Sequence, residues 1–227
     1  MKKAAVTNVV IVLVLVGLFA LTSFTLPQEE AVFAPIRQGT GDKTVALTVN
    51  VYLGAKEVEE MVSILGQYGV TATFFVGGCW VVKNQQTARL LVQNGLCIGS
   101  HGYSHLDHSK LDYDRNYTEM ERAHHAIKEV LGVDVKLFAP PSGAYNQATM
   151  QAANEMGYQV TLWSKDTIDW RDQEDDLLLE RATKDMKSGD VILTHPTPAT
   201  VRILPALIQA YLANGYRFVT MEEMAKA

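Results

Sequence analysis

Cysteine is scarce in this chain. Cys79 and Cys97 are the only two in 227 residues, so at most one disulfide can form. They fall near the ends of two strand-like runs expected to be neighbours, which leaves open either a bridge or two unpaired, semi-buried thiols. Clustered positive charge is also missing. The formal net charge is −5, and the 20 Lys and Arg residues are scattered singly, which excludes the basic stripe of a nucleic-acid binder. No G-x-G-x-x-G follows the first strand-like run, which argues against a dinucleotide-binding fold.

Charge is absent altogether between Lys3 and Glu29. As a helix, the apolar stretch from Ala4 to Leu26 would be about 33 Å long, enough to cross a hydrocarbon core of about 30 Å. Lys2 and Lys3 ahead of it predict a cytoplasmic start and an exported remainder. No convincing A-x-A site follows, so residues 1–27 read as an uncleaved membrane anchor, with a cleaved signal peptide as the rival. Either way the working domain is expected outside the cytoplasmic membrane.

Apolar material, by contrast, is ample: 48% of residues are hydrophobic and 20% charged, the balance of a globular domain that buries a real core. Residues 28–42 carry Pro, Glu, Gly and Thr without periodicity and read as a linker. From Lys43 to residue 227, apolar runs alternate with amphipathic segments. "TVALTVNV", "TATFFVGG", "LCIGS", "KLFAPP", "QVTLWS", "DVILTH" and "RFVTM" have strand composition. Between them, segments such as "KEVEEMVSILGQYG" and "RNYTEMERAHHAIKEVLG" repeat apolar residues at helical spacing and stop on glycine. Strand–helix alternation with near-continuous apolar strands predicts an α/β fold: a small, incomplete (β/α) barrel of about seven parallel strands. In such a barrel, functional groups gather at the carboxyl ends of the strands.

Polar residues do fall at those ends. Asn50 closes the first strand, and His101 and His105 follow the third in "CIGSHGYSHLDH". Ser142 and Tyr145 follow "LFAPP", Asp166, Asp169 and Trp170 follow "VTLWS", and His195 closes "VILTH". Two imidazoles four residues apart suit a divalent ion of the Zn²⁺ type, or else pin a loop by hydrogen bonds. His195 is placed to protonate a leaving amine, and Asp166 or Asp169 could orient it or simply cap and brace the loop. Trp170 reads as the wall of a sugar groove or as core. His124 and His125, mid-helix among charges, read as solvated. His108 reads as a surface loop residue or a stand-in ligand, a role open also to Asp107 or Tyr52.

Taken in order, "KTVALTVNVYLG", "ATFFVGG", "IGSHGYSHLDHSKL", "FAPPSGAYN", "DTIDW" and "ILTHP" resemble the motif series of the polysaccharide deacetylase (NodB-homology) family, from about Lys43 to Met224. "APPSG" makes the chain look most like the sporulation-associated branch. The resemblance implies a distorted (β/α) barrel, a divalent metal, usually zinc, and hydrolysis of acetyl groups on chitin-like or peptidoglycan sugars. It also implies that His101 and His105 hold the metal, that His195 is the catalytic acid, and that Asp169 supports it beside Trp170. Two departures stand out. The family's first motif has adjacent aspartates, one a general base and one a metal ligand, where this chain has Asn50 and Val51. Its third motif has an arginine where this chain has Ala139, and a tyrosine or similar residue at Ser142.

An asparagine amide cannot take a proton near neutral pH, and general-base help is worth about 10²–10⁴ in rate. Two histidines plus waters also hold a dication weakly. Two functions follow as expectations. One is a metal-dependent deacetylase of cell-wall polysaccharide, in which Asn50 positions water or the carbonyl oxygen. The other is a catalytically retired module that binds glycan around Trp170 and Tyr145. No nucleic-acid partner is expected, and the chain is expected to act as a monomer.

Overall fold

The computed structural model describes residues 34–226. The segment read as an anchor or signal lies outside them. Among the described residues no helix is long and apolar enough to cross a membrane.

Among the described residues, eight short strands form one sheet in which every ladder is parallel. They are β1 (Thr44–Val51), β2 (Thr73–Val76), β3 (Cys97–Ser100), β4 (Leu137–Phe138), β5 (Gln159–Val160), β6 (Lys165–Asp166), β7 (Val191–Thr194) and β8 (Arg217–Phe218). Their order is β5-β4-β3-β2-β1-β7-β6, with β8 paired to the start of β1. The seven strand-like sequence runs all contain strands; β6, only Lys165 and Asp166, has no apolar signature and was not foreseen. Strands β5 and β6 end opposite edges of the sheet, yet residues 161–164 alone carry the chain from one to the other. That short crossing requires the sheet to curl until its edges nearly meet, which is the incomplete barrel expected from the sequence.

Residues 34–42, read from composition as linker, are partly built into the barrel. Ile36 donates to the Val160 carbonyl (2.9 Å) and accepts from the Leu162 amide (2.7 Å), and Gln38 bridges Asp190. Backbone pairing of this kind leaves little trace in residue type.

Helices α1 (Ala55–Tyr68), α2 (Gly78–Lys83), α3 (Gln85–Gln93), α4 (Tyr113–Leu131), α5 (Gln147–Glu155), α6 (Asp175–Thr183), α7 (Pro198–Ala213) and α8 (Met221–Lys226) complete the fold. Several begin on side-chain caps that satisfy otherwise orphaned amides. Asp112 accepts from Arg115 N at α4, Asn146 and Thr149 form a capping box at α5, and Thr197 accepts from Thr200 N at α7.

The strands alternate between two apolar clusters, as a period of two requires. In β1, Val45, Leu47, Val49 and Val51 join the large cluster, which includes residues of every long helix, whereas Ala46 joins a small cluster with Phe75, Leu137, Ala139 and Val191 inside the curl. Gly99 belongs to this inner face; a Cβ there would lie 2.4 Å from the Phe75 ring, so glycine lets β3 approach.

The two cysteines are both free. Cys97 pairs in register with Thr73 at the start of β2, while Cys79 lies beyond the other end of β2, at Val76. In neighbouring parallel strands these are opposite ends, too far apart for a bridge. Burial pushes the Cys97 thiol up to about 11.

Candidate active site

Strand parity decides which residues face the interior. Ala46, Thr48 and Asn50 share one face of β1; Cys97 and Gly99 continue to His101, Leu137 continues to Ala139, and Val191 and Leu193 continue to His195. Asn50, His101, Ala139 and His195 therefore crown the inner face at the carboxyl edge. Extending the register Val49↔Thr194 places His195 beside Asn50. Val51, on the opposite parity, is fully buried in the helix-side core. Position 51 is thus occupied by a packed aliphatic group.

The imidazole nearest the floor is held firmly. His101 is 2% exposed, and its Nδ1 lies 2.7 Å from the Ala139 carbonyl oxygen. A carbonyl only accepts, so Nδ1 carries the proton and Nε2 presents a lone pair, the tautomer a metal ligand needs. Burial first, and the neighbouring His105 second, pull the His101 pKa down to about 3, so the ring is neutral at physiological pH. His105 lies four residues on, with ring centroids 5.1 Å apart at 66°. Its backbone sits in the left-handed region at φ 57°, a conformation rare for residues with a side chain and concentrated at functional sites. Tyr52 covers its other side at 4.6 Å. Burial lowers the His105 pKa also, with the positive charge of a protonated His195 adding to the effect. His101 and His105 touch ring to ring, and the β1–β7 register brings His195 to the same carboxyl-edge rim beside Asn50.

His195 is braced from behind. Its Nδ1 lies 2.7 Å from Asp169 Oδ1, and its amide donates to Asp169 Oδ2 at 2.6 Å. The Thr200 hydroxyl, in the first turn of α7, donates to the same Oδ2. Asp169 is fully buried, so these donors replace the water a carboxylate requires. Of the two aspartates in "DTIDW", Asp169 does the orienting; Asp166 accepts from the Ile168 amide (2.8 Å) and shapes the loop. The part played by Thr200 was not foreseen. T-P-A-T at 197–200 signals a helix start, but nothing local says that the second threonine also reaches a carboxylate on another loop.

Other candidates are distributed differently. Trp170 is 63% exposed, with the Arg171 guanidinium 6.0 Å from its ring centroid, so it is no core residue. Ser142 is exposed, at φ 56° in the turn 141–143. Tyr145 is partly buried and packs against the helix-side core, and so is not a freely presented platform. His108 is not a surface residue: it is completely buried, with Nδ1 2.6 Å from Asn116 Oδ1. Asn116 Nδ2 meanwhile donates to the carbonyls of His108, Leu111 and Asp112. The free His108 Nε2 sits under Gly102, where a Cβ would come within 3.1 Å. Asp107 is half-buried and paired with Lys110. His124 is tied to the Tyr158 hydroxyl and to Asp134 rather than simply solvated.

As a metal site, the pair His101 and His105 suits a borderline-soft divalent ion in donor type and tautomer. It is not a complete shell: among the described residues no group of three or more His, Cys, Asp or Glu side chains converges to hold an ion.

Comparison with known proteins agrees with this picture. Residues 37–161 match the model of the polysaccharide deacetylase family. The chain is 38% identical to the uncharacterised protein YlxY of Bacillus subtilis over 84% of its own length, and it spans 60% of the length of that relative. It is 31% identical to a peptidoglycan-N-acetylglucosamine deacetylase of Bacillus cereus, covering 82% of this chain and 89% of that one. The structure of BA3943, a CE4 family pseudoenzyme from Bacillus anthracis, superposes with a TM-score of 0.82 at 32% identity, over 84% of this chain and 68% of that one. A mutant of BA3943 described as having restored enzymatic activity superposes equally well, at 30% identity over 84% and 71%. With its curled parallel sheet, its histidine pair above β3 and its aspartate-braced histidine above β7, this chain belongs to the polysaccharide deacetylase family.

Proposed function

We propose that the chain is a metal-dependent hydrolase that removes acetyl groups from cell-wall amino sugars, acting outside the cytoplasmic membrane as a monomer anchored by residues 1–27. The observation that carries this reading is the His195–Asp169–Thr200 array directed at the same inner rim as His101 and His105. Of the four inner-rim residues, Asn50 and Ala139 offer no acid–base group and burial holds His101 neutral, which leaves His195, braced by Asp169, for proton transfer. With Nδ1–H donated to Asp169, neutral His195 offers a lone pair at Nε2. It takes a proton from the attacking water as oxygen bonds to the acetyl carbon, then returns that proton to the sugar nitrogen as the carbon–nitrogen bond breaks. The products are acetate and the amine. Asp169 stabilises the imidazolium between the two transfers. Asn50 donates a hydrogen bond to the carbonyl oxygen and takes no proton. A divalent ion held by His101 and His105 would supply further polarisation of that carbonyl. Trp170, exposed on the β6 side, offers an apolar face to a sugar ring.

The test is acetate release from N-acetylglucosamine oligomers and from peptidoglycan by the full chain with Zn²⁺ or Co²⁺ added. Release that His195→Ala abolishes is the expected result.

A second reading, a glycan-binding module without turnover, draws on the incomplete donor set around His101 and His105 and on Asn50 and Val51 in place of two aspartates. It predicts glycan binding that survives His101→Ala with no acetate at any metal concentration.

A further inference from the structure

The loop from β6 to α6 delivers Asp169 to His195 through a strained turn. Ile168, immediately before Asp169, has φ 54°. A β-branched residue in the left-handed region is an outlier that persists only where its surroundings over-determine it. On one side of Ile168, Thr167 is fully buried, and its amide and hydroxyl both donate to the Leu193 carbonyl in β7, at 3.3 and 2.9 Å. On the other side, the amides of Arg171 and Asp172 turn back to the Ile168 carbonyl, at 3.1 and 3.0 Å.

One side chain reaches both sides. Arg181, in α6, donates through Nη1 to the Thr167 carbonyl (3.0 Å) and through Nη2 to Asp172 Oδ2 (2.7 Å). The two side chains of the ion pair are only 23% and 19% exposed. Arg171 closes on the same carboxylate through Nε and Nη2, both at 2.9 Å. Arg171 first, and Arg181 second, hold the Asp172 carboxyl well below the usual carboxylate range, so it stays an anion for Arg181 to grip.

We propose that Arg181 is a positioning residue for the His195–Asp169 pair: its guanidinium ties Thr167 to Asp172, holds Ile168 in its strained turn and so keeps Asp169 aimed at His195. The hydrogen bonds of Arg181 run to Thr167 and Asp172 rather than to the pair itself, so it acts through the loop. A guanidinium suits the task because its nitrogens form a rigid fork that meets two acceptors at once, which a lysine ammonium does not. The effect on turnover rests on the hydrolase reading above, whereas the alignment of the pair is read without turnover.

Arg181→Met keeps an aliphatic stem and removes the fork. In the full chain, the imidazole ¹⁵N shifts of His195 are expected to show protonation moving from Nδ1 towards Nε2 as Asp169 drifts out of line. Acetate release is expected to fall about tenfold, within the range set by backbone strain of this class. The fall is smaller than for Asp169→Asn, because the His195 amide and the Thr200 hydroxyl still hold the carboxylate. Arg181→Lys keeps the charge without the fork and is expected to move the tautomer in the same direction, so it carries the test should Arg181→Met not fold. Adding Ile168→Asn to either variant should restore the Nδ1 proton, since asparagine enters the left-handed region readily and the turn no longer has to be forced. Arg89→Met is the control: Arg89 also bonds a backbone carbonyl, that of Val130, and a side chain, Gln85, but from α3, and its loss should leave the tautomer unmoved.

An unmoved His195 tautomer in a folded Arg181 variant, a shift that Ile168→Asn does not reverse, or the same shift in Arg89→Met would overturn the proposal. Acetate assays on the same preparations separate the two claims. A reversible tautomer shift without acetate from the unsubstituted chain defeats the hydrolase and leaves the clamp; acetate with an unmoved tautomer does the reverse.

Discussion

Replacing Asp169 by asparagine removes a charge and keeps the shape. The carboxylate is fully buried and accepts from three donors: His195 Nδ1 at 2.7 Å, the His195 amide at 2.6 Å and the Thr200 hydroxyl. In the variant, the single amide oxygen best keeps the place of Oδ2, where two donors meet. The amide NH₂ then faces His195 Nδ1, and two N–H groups cannot bond to each other. The imidazole resolves this by moving its proton to Nε2, so that Nδ1 accepts. A neutral ring protonated at Nε2 can neither take a proton from water nor be stabilised as an imidazolium. Acetate release is expected to fall by about 10²–10⁴, the range of acid–base assistance.

Stability should change far less. A hydrogen bond to a charged group is worth about 1.5–3 kcal/mol and one between neutral groups about 1 kcal/mol. Three bonds therefore weaken by roughly 2–6 kcal/mol, and not having to bury a carboxylate at zero exposure returns much of that. A net loss under about 3 kcal/mol is expected in urea unfolding. The imidazole ¹⁵N shifts of His195 read the tautomer directly and do not depend on turnover. Protonation at Nδ1 in both proteins, together with unchanged acetate release, would refute the reasoning.

Three other predictions follow from the same geometry. Asn50→Asp restores a group able to accept a proton at the inner rim, 4% exposed, and should raise acetate release with added Zn²⁺ at least tenfold, toward the about 10²–10⁴ of a general base; no increase in a folded variant would count against the site. Val51→Asp places a carboxylate in the helix-side core and should destabilise the fold by several kcal/mol, seen as a lower urea midpoint. Finally, His101, His105 and His108 all have pKa values below the unfolded value of 6.5 because burial disfavours their charged forms. Below pH 6.5 the unfolded chain binds protons the folded chain refuses, so stability is full above pH 6.5 and falls as the solution is acidified. The slope is about 1.4 kcal/mol per pH unit for each ring still neutral in the folded state. Urea midpoints that stay flat from pH 6.5 to 4.5 would contradict the burial of these rings.

Much of the barrel is legible locally. "TVALTVNV" is apolar on both faces because one face meets helices and the other meets the inside of the curl, and glycines such as Gly69 and Gly132 stop their helices in the left-handed conformation. The residues able to carry chemistry could be picked out for the same reason, since strand ends in a parallel barrel gather at one rim. What the chain could not declare is which distant groups touch. Asp166 and Asp169 look equivalent in "DTIDW", and only the fold brings Asp169 to His195 and Thr200. His108 resembles any loop histidine until Asn116, eight residues away on α4, turns beneath it and buries it. Cys97 opens β3 and Cys79 lies just past the end of neighbouring β2, so the parallel direction sends them to opposite ends. Hydrophobic period and capping act within a few residues and are written in residue type. Register, curl and the partners of buried polar atoms arise from pairings across as much as 174 positions, Lys43 to Arg217, settled only when the whole core closes.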